Sequence, residues 1–251
     1  MKQRRIFAML VLAAGVASAQ NPDRPQRPVV DPAAPKPTGP QRPVVDPGNA
    51  AKAPSDAIVL FDGTDNSHWR TQDGKPSKCA VADAVMSCRT GAGTIASTDK
   101  FQDAQIHLEF NIPNMPEQHG QLKGNSGAIL QGLYEVQILD SFENPTYADG
   151  SCGALYGQSA PAVNASRRPN EWQTYDIVFH APRCAPDGTV TAPGTLTLLH
   201  NGVLVQDHVP VQARRRCVEE GPLVLQDHSN FAGAPDTTMR FRNIWMRRLT
   251  Q

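Results

Sequence analysis

The sequence predicts an all-β protein in which two antiparallel sheets pack face to face. Polar and apolar residues alternate over several short segments, most clearly over residues 103–112, where Ile106, Leu108, Phe110 and Ile112 share one face. In contrast, no segment keeps a helical period over three turns. Since each such strand has one apolar face, two packed sheets bury these faces together, and a β-sandwich is the expected architecture.

A secretory signal peptide is predicted over residues 1–19. Basic residues open this segment, an apolar run follows over residues 6–16, and the small residues Ala17-Ser18-Ala19 form a cleavage pattern. We therefore expect export, with the mature protein in the periplasm or outside the cell. The apolar run is too short to span a bilayer, and no other stretch approaches the roughly 20 apolar residues of a transmembrane helix.

Residues 20–54 form a proline-rich segment in which QRPVVDP occurs twice, at 26–32 and 41–47. Because this composition cannot bury enough apolar surface to fold, we expect a disordered, extended spacer. An alternative is that the repeat is a docking ligand for a partner. The remaining residues, 55–251, are enough for one β-sandwich domain.

The strands of this domain are assigned from alternation and turn residues. A hairpin over residues 195–205 turns at Asn201-Gly202, a pair that favours the type I′ turn. Further strands are predicted over 57–61, 80–86, 94–97, 103–112, 128–131, 134–139, 171–180, 223–228 and 239–249. The aperiodic segments 113–123 and 142–168 are expected to be loops that border a functional site.

The five cysteines all lie in the exported part of the chain, where disulfides are favoured. A turn between Cys79 and Cys88 indicates a local bridge, and Cys184 and Cys217 form the next pair because both lie in loop-like segments after strands. Cys152 then remains, and we interpret it as a small buried residue rather than a nucleophile or ligand. No CxxC or Cys/His cluster indicates a structural zinc site.

The charge balance argues against two classes of partner. The chain carries 24 basic and 24 acidic side chains, so no overall field favours nucleic acid or an anionic membrane. The aromatic content of 6% is modest for a lectin that stacks sugars on exposed rings.

Several segments together resemble one family. They are GNSGAILQG followed by YEVQILDS, then CGALYGQSAP, NASRRPNEWQTYDIVF, HNGVLVQ, GPLVLQDH and MRFRNIWMRRL. In order and spacing, over residues 57–249, they are similar to the domain of unknown function 1080 family, also called the 3-keto-disaccharide hydrolase or 3-keto-glucoside lyase/hydratase domain. The resemblance implies a concanavalin-like jelly-roll sandwich that acts on oxidised glycosides.

The candidate site is built around one hairpin. In its second strand, Tyr134, Val136 and Ile138 fall on one face, and Glu135 and Gln137 fall on the other. An acid and an amide thus share a surface that need not be core, although a solvated outer face is the alternative interpretation.

With the resemblance, Glu135 and His228 are the predicted catalytic residues. The predicted substrate-binding residues are polar side chains on strands or loops: Asn125, Gln131, Gln137, Glu109, Tyr156 and Arg242. Asp140 has the parity of the apolar set, so we expect it to fix a loop by accepting backbone hydrogen bonds. No metal-ligand motif is visible, although a divalent cation could polarise a ketone.

The resemblance implies a sugar that carries a ketone at C3, which makes the hydrogen at C2 acidic. Glu135 or His228 would remove this hydrogen to give an enolate, the C1 substituent would leave by elimination, and water would add to the product. Gln137 and Asn125 would hold sugar hydroxyls or the enolate. Two carboxylates could instead support ordinary glycoside hydrolysis. The alternative class is a non-catalytic carbohydrate-binding module at the cell surface or in the periplasm, because the fold serves both classes.

Overall fold

A computed structural model of the protein describes residues 43–49, 52–213, 216–229 and 233–249. The predicted signal peptide and most of the proline-rich segment lie outside the described residues. In the ranges that are described, no helix combines the length and apolar character needed to cross a membrane.

The described fold is almost entirely β. In chain order the strands are β1 (Ile58–Phe61), β2 (Trp69–Thr71), β3 (Ala80–Ala82), β4 (Val85–Arg89), β5 (Ile95–Phe101), β6 (Ala104–Asn111), β7 (Ser126–Leu130), β8 (Tyr134–Ile138), β9 (Trp172–His180), β10 (Arg183–Cys184), β11 (Val190–Ala192), β12 (Gly194–His200), β13 (Val203–Val211), β14 (Gly221–Leu225) and β15 (Thr238–Arg248). Two short 3-10 turns, Gly120–Leu122 and Ala148–Gly150, lie in loops.

These strands form two large antiparallel sheets and one small ribbon. The larger sheet has eight strands in the order β13-β12-β9-β6-β15-β4-β3, and β1 also pairs with β15. The smaller sheet has five strands in the order β2-β5-β14-β7-β8, and β10 pairs with β11. The predicted all-β sandwich of two antiparallel sheets is confirmed.

The core lies between the two large sheets. On β6, Ile106, Leu108 and Phe110 are fully buried, as their alternation predicts. Across the core, the ring of Tyr134 on the smaller sheet lies 5.7 Å from that of Phe179 on the larger one. Burying each large apolar side chain contributes about 1.5–3 kcal/mol, so interleaved rows of this kind hold the sheets together.

The predicted hairpin at 195–205 is present as β12 and β13. Its turn residues Asn201 and Gly202 have φ values of 53° and 78°, the left-handed conformations that a type I′ turn requires. Strand β13 continues past the predicted end, to Val211, and bulges shift its register against β12. Exposed Val203 and Leu204 also break the alternation on which the prediction depends.

The ribbon β10–β11 was not predicted, and a buried carboxylate holds it to the larger sheet. The guanidinium of Arg183 donates to both oxygens of Asp103, at 2.9 and 2.7 Å, and the amide of Ala181 donates at 2.9 Å. Burial alone would raise the pKa of Asp103, but these hydrogen bonds outweigh it and hold the pKa well below its usual range.

Both predicted disulfides are confirmed. Cys79 pairs with Cys88 across the β3–β4 hairpin, and Cys184 pairs with Cys217. Cys152 is free and buried, with its Sγ 3.0 Å from the hydroxyl of Tyr175. This setting fits the interpretation of Cys152 as a packed structural residue.

Candidate functional site

The outer face of the five-stranded sheet carries the predicted acid and amide. On β8, Tyr134, Val136 and Ile138 are buried in the core, so Glu135 and Gln137 point to the opposite side of the sheet. The alternation predicted for this strand is therefore confirmed.

A glycine on the neighbouring strand makes room for the Glu135 carboxyl group. Gly127 on β7 lies opposite Gln137 in the β7–β8 register. A Cβ atom on Gly127 would overlap Oε1 of Glu135, so this carboxyl group lies directly over the glycine backbone. Any larger residue at this position would displace the carboxyl group.

A loop segment continues the sheet beyond β8. The amide of Gln137 donates to the carbonyl of Ala154 at 3.0 Å, and the amide of Tyr156 donates to the carbonyl of Glu135 at 2.9 Å. Leu155 forms a bridge with Val136 and is fully buried. Tyr156 consequently lies beside Glu135 and points outwards with it.

Two exposed tyrosines stand at this edge of the face. The hydroxyls of Tyr147 and Tyr156 are 2.5 Å apart, and their ring centroids are 6.2 Å apart. Tyr147 is 48% exposed and Tyr156 is 39% exposed, so both remain accessible to a ligand. The ring of Tyr147 packs on Gly150, where a Cβ atom would overlap it.

Amide side chains connect the floor of this face to the loops above it. Nε2 of Gln137 donates to Oε1 of Gln121 at 3.0 Å and to the carbonyl of Gly150 at 3.3 Å. Nδ2 of Asn125 donates to the carbonyl of Gln121 at 2.8 Å. Within the described residues, Oε1 of Gln137 is buried and accepts no hydrogen bond.

Burial gives Glu135 the properties of a base. It raises the pKa of Glu135 to about 7, and within the described part of the chain no charged neighbour contributes to the shift. The pKa of Tyr147 is also raised, to about 12. Burial is the main cause, and the hydrogen bond to Tyr156 and the negative charges of Tyr156, Asp149 and Glu135 raise it further. Near neutral pH, a carboxylate that accepts a proton therefore adjoins a phenol that retains one.

His228 lies just after β14, in a small cavity between the two sheets. The cavity is also lined by Asn125, Gln226 and Thr237. Burial lowers the pKa of His228, and the adjacent carboxylate of Asp227 opposes this shift. The imidazole is therefore neutral near pH 7, which suits a hydrogen-bonding role.

The structure separates Glu109 and Arg242 from the other predicted site residues. Both lie on the outer face of the eight-stranded sheet, where Nε of Arg242 donates to Oε2 of Glu109 at 2.6 Å. Asn243 donates to the other Glu109 oxygen at 2.9 Å, and the Arg242 guanidinium stacks 4.1 Å from the Trp172 ring. The prediction that these two residues join Glu135 in one site is wrong, because they belong to the opposite sheet.

Gln131 also lies outside the site. It occupies the β7–β8 turn with φ of 53°, and its Nε2 donates to the carbonyls of Phe101 and Glu219 at 3.1 and 3.2 Å. Its side chain is 2% exposed and fixes neighbouring segments, so its predicted substrate-binding role is corrected to a structural one. Asp140 does fix a loop as expected, since its Oδ1 accepts from the amide of Phe142 at 3.1 Å.

Tyr147 and Gln121 belong to this face but are not among the residues that the sequence predicts for it. Gln121 lies in the predicted loop 113–123, and Tyr147 lies in the predicted loop 142–168. For Tyr147, an aromatic residue within a polar stretch was the available signal. For a metal, the described ranges hold no group of three or more His, Cys, Asp or Glu side chains that could bind one.

The chain is a β-sandwich, a fold that serves carbohydrate-active enzymes and non-catalytic binding modules alike, and comparison with known proteins identifies its family. The sequence profile of the 3-keto-alpha-glucoside-1,2-lyase-like domain matches residues 56–247, and the chain belongs to this family. The predicted family resemblance is confirmed.

Solved structures agree with this assignment. A crystal structure from Parabacteroides distasonis, of a protein provisionally named a glycosyl hydrolase, is 41% identical with a TM-score of 0.78, and the match covers 84% of this chain and 93% of that one. A second protein from this organism, with the same provisional name, is 17% identical with a TM-score of 0.56 over 78% of this chain and 94% of its own, which shows the common fold. No curated protein matches the sequence.

Proposed function

We propose that this protein cleaves glycosides that carry a ketone at C3, by removing the proton at C2 and eliminating the C1 substituent. The observation that carries the proposal is Glu135, a desolvated carboxylate with a pKa of about 7 on an open face. A general base works best when its pKa lies near the working pH, and burial has moved this carboxyl group to that value. The family to which the chain belongs supports the choice of an oxidised sugar.

The reaction has two stages. Glu135 takes the proton from C2, and the electron pair of that bond moves into an enolate with the C3 ketone. The enolate then expels the oxygen at C1, which leaves a double bond between C1 and C2, and water later adds to give the free keto-sugar. Stabilising the enolate requires hydrogen-bond donors near the ketone oxygen, and Asn125 and Gln137 would supply them by releasing the bonds that they donate to Gln121 and Gly150.

Export is the second part of the proposal. The basic, apolar and small-residue segments of residues 1–19 support a signal peptide. The two disulfides support folding in an oxidising compartment, since such bonds are rare in the cytosol. The mature protein would then meet its sugar in the periplasm or outside the cell.

The test uses the mature protein without residues 1–19. It is incubated with a methyl 3-keto-glucoside and with the unoxidised parent, each with and without EDTA, and products are followed by mass spectrometry. We expect cleavage of the keto-sugar alone. Cleavage of the parent at a similar rate would contradict elimination and favour classical hydrolysis, and loss of activity with EDTA would identify a required cation.

The exposed pair Tyr147 and Tyr156 favours one alternative, a carbohydrate-binding module without activity. Exposed aromatic rings provide stacking surfaces for sugars. Saturable binding of the keto-sugar without any turnover would support this alternative and exclude the enzyme.

A further inference from the structure

Elimination requires an acid as well as a base. The outer face of the five-stranded sheet offers a hydrogen-bonded pair of tyrosine hydroxyls that could serve as the acid. Breaking the C1–O bond leaves an alkoxide unless a proton reaches the departing oxygen. Tyr156 lies beside Glu135 through the backbone bond described above, with an N–O distance of 2.9 Å. Its hydroxyl is 2.5 Å from that of Tyr147, so the two phenols share one hydrogen bond.

The geometry of the pair distinguishes it from ordinary surface tyrosines. One phenol donates to the other, which leaves the hydroxyl hydrogen of the acceptor free to point into the open face. Tyr147 is 48% exposed even though its ring is seated against Gly150. The rings are thus positioned, while the hydroxyls remain accessible.

We propose that Tyr147 and Tyr156 act together as the general acid that protonates the leaving oxygen at C1. This inference rests on the proposed function. One tyrosine transfers its hydroxyl proton to the departing oxygen as the C1–O bond breaks, and the phenolate that forms accepts the hydrogen bond of the other. Glu135 holds the proton taken from C2, and its return to the phenolate, directly or through water, restores both groups. No oxidant, reductant or other reactant is required.

The sharpest test separates proton removal from bond cleavage. In deuterated water, Glu135 exchanges the C2 hydrogen of a methyl 3-keto-glucoside for deuterium whether or not the methoxide leaves. We expect Tyr147→Phe and Tyr156→Phe to retain C2 exchange within about threefold of wild type and to lose methanol release by at least about 100-fold, the usual contribution of a general acid. Exchange without enzyme is subtracted, and exchange and release are followed by NMR in one sample.

A second substrate checks the same step. The 4-nitrophenyl 3-keto-glucoside has a leaving group that departs without protonation. We therefore expect the two phenylalanine variants to cleave it within about threefold of the wild-type rate. Because the two hydroxyls work as one unit, the double variant should lose no more than about threefold beyond either single variant on the methyl substrate.

Tyr134→Phe is the matched control. It also removes a tyrosine hydroxyl, from the residue next to Glu135 on β8. Tyr134 points into the core, however, and within the described residues its hydroxyl has no hydrogen-bond partner. We expect this variant to exchange and cleave as wild type does.

The outcomes are distinct. Phenylalanine variants that release methanol at the wild-type rate would overturn the inference, and would leave ring stacking as the role of the pair. Variants that lose exchange and release equally would also overturn it, because the pair would then position the substrate for Glu135. If the wild-type protein neither exchanges nor cleaves, the proposed function itself fails, and the tyrosine inference with it.

Discussion

The outer faces of the two sheets each carry a glutamate on a half-buried strand, yet their surroundings differ. Glu109 on the larger sheet accepts hydrogen bonds from Arg242 at 2.6 Å and Asn243 at 2.9 Å. Glu135 on the smaller sheet lies over Gly127, and burial raises its pKa to about 7. A carboxylate with a cation and an amide as partners stabilises structure, whereas one that is desolvated without a cation is available for proton transfer.

The largest expected effect comes from removing the carboxylate of the smaller sheet. Glu135→Gln keeps the size of the side chain and abolishes its basicity, so turnover of a 3-keto-glucoside should fall by about 1,000-fold or more. Glu109→Gln is the matched variant on the opposite face, and its turnover should stay within about threefold of wild type. Steady-state kinetics of both variants measure the difference in turnover, and equal losses would contradict the different roles of the two glutamates.

Moving the carboxylate without removing it should have the next largest effect. In Gly127→Ala, the new methyl group occupies the space of Oε1 of Glu135, so the carboxyl group must shift while the backbone keeps its conformation. A displacement of about 1 Å from the productive geometry costs about 100-fold in kcat. The double variant with Glu135→Gln should be no slower than Glu135→Gln alone, and additive losses would show that Gly127 acts independently.

The pH dependence of turnover should show the desolvated carboxylate directly. Because the base must be ionised, kcat/KM should fall about tenfold per pH unit below an apparent pKa near 7, the value to which burial raises Glu135. An ordinary glutamate, with the unperturbed value of 4.5, would leave the rate flat down to about pH 5. A flat profile between pH 5 and pH 8 would therefore exclude Glu135 as the base.

The smallest expected effects concern stability, and they have opposite signs on the two faces. Glu135 binds its proton more tightly in the native state than in the unfolded chain, so the free energy of unfolding falls as pH rises from 4.5 to about 7. Glu135→Gln should thus stabilise the protein at pH 8, by on the order of 2 kcal/mol. Glu109→Gln should destabilise it by about 1 kcal/mol, because the charge-assisted bond from Arg242 is lost. Urea unfolding at pH 8 measures both, and destabilisation by Glu135→Gln would contradict the buried-base interpretation.

Local patterns predicted the sandwich but not the side of it on which a residue lies. Alternation depends only on neighbouring residues, and it correctly placed Ile106 and Val136 in the core and Glu109 and Glu135 outside it. The sheet that each strand joins depends on partners far away in sequence. Strand β6 pairs with β9 and β15, whereas β8 pairs with β7, and this difference separates the two glutamates.

Turns and loops limited the prediction of the site. Gln131 ends the strand that the sequence predicts over 128–131, but its φ of 53° places it in a turn, where its side chain folds back onto backbone carbonyls. Tyr147 lies in an aperiodic loop, and no local pattern shows that its hydroxyl contacts that of Tyr156, which the sequence does predict as a binding residue. Asp140 was predicted correctly because its role follows from local parity and a hydrogen bond two residues away.

The pairing of residues 153–156 with β8 also bears on which positions of this face tolerate substitution. The loop is attached to the sheet by main-chain hydrogen bonds, which do not depend on the identity of its outward side chains. Substitutions at outward positions such as Tyr156 would therefore leave this pairing, and the strand that carries Glu135, in place. The same pairing occupies the outer edge of β8, which protects the protein from strand-to-strand aggregation at that edge.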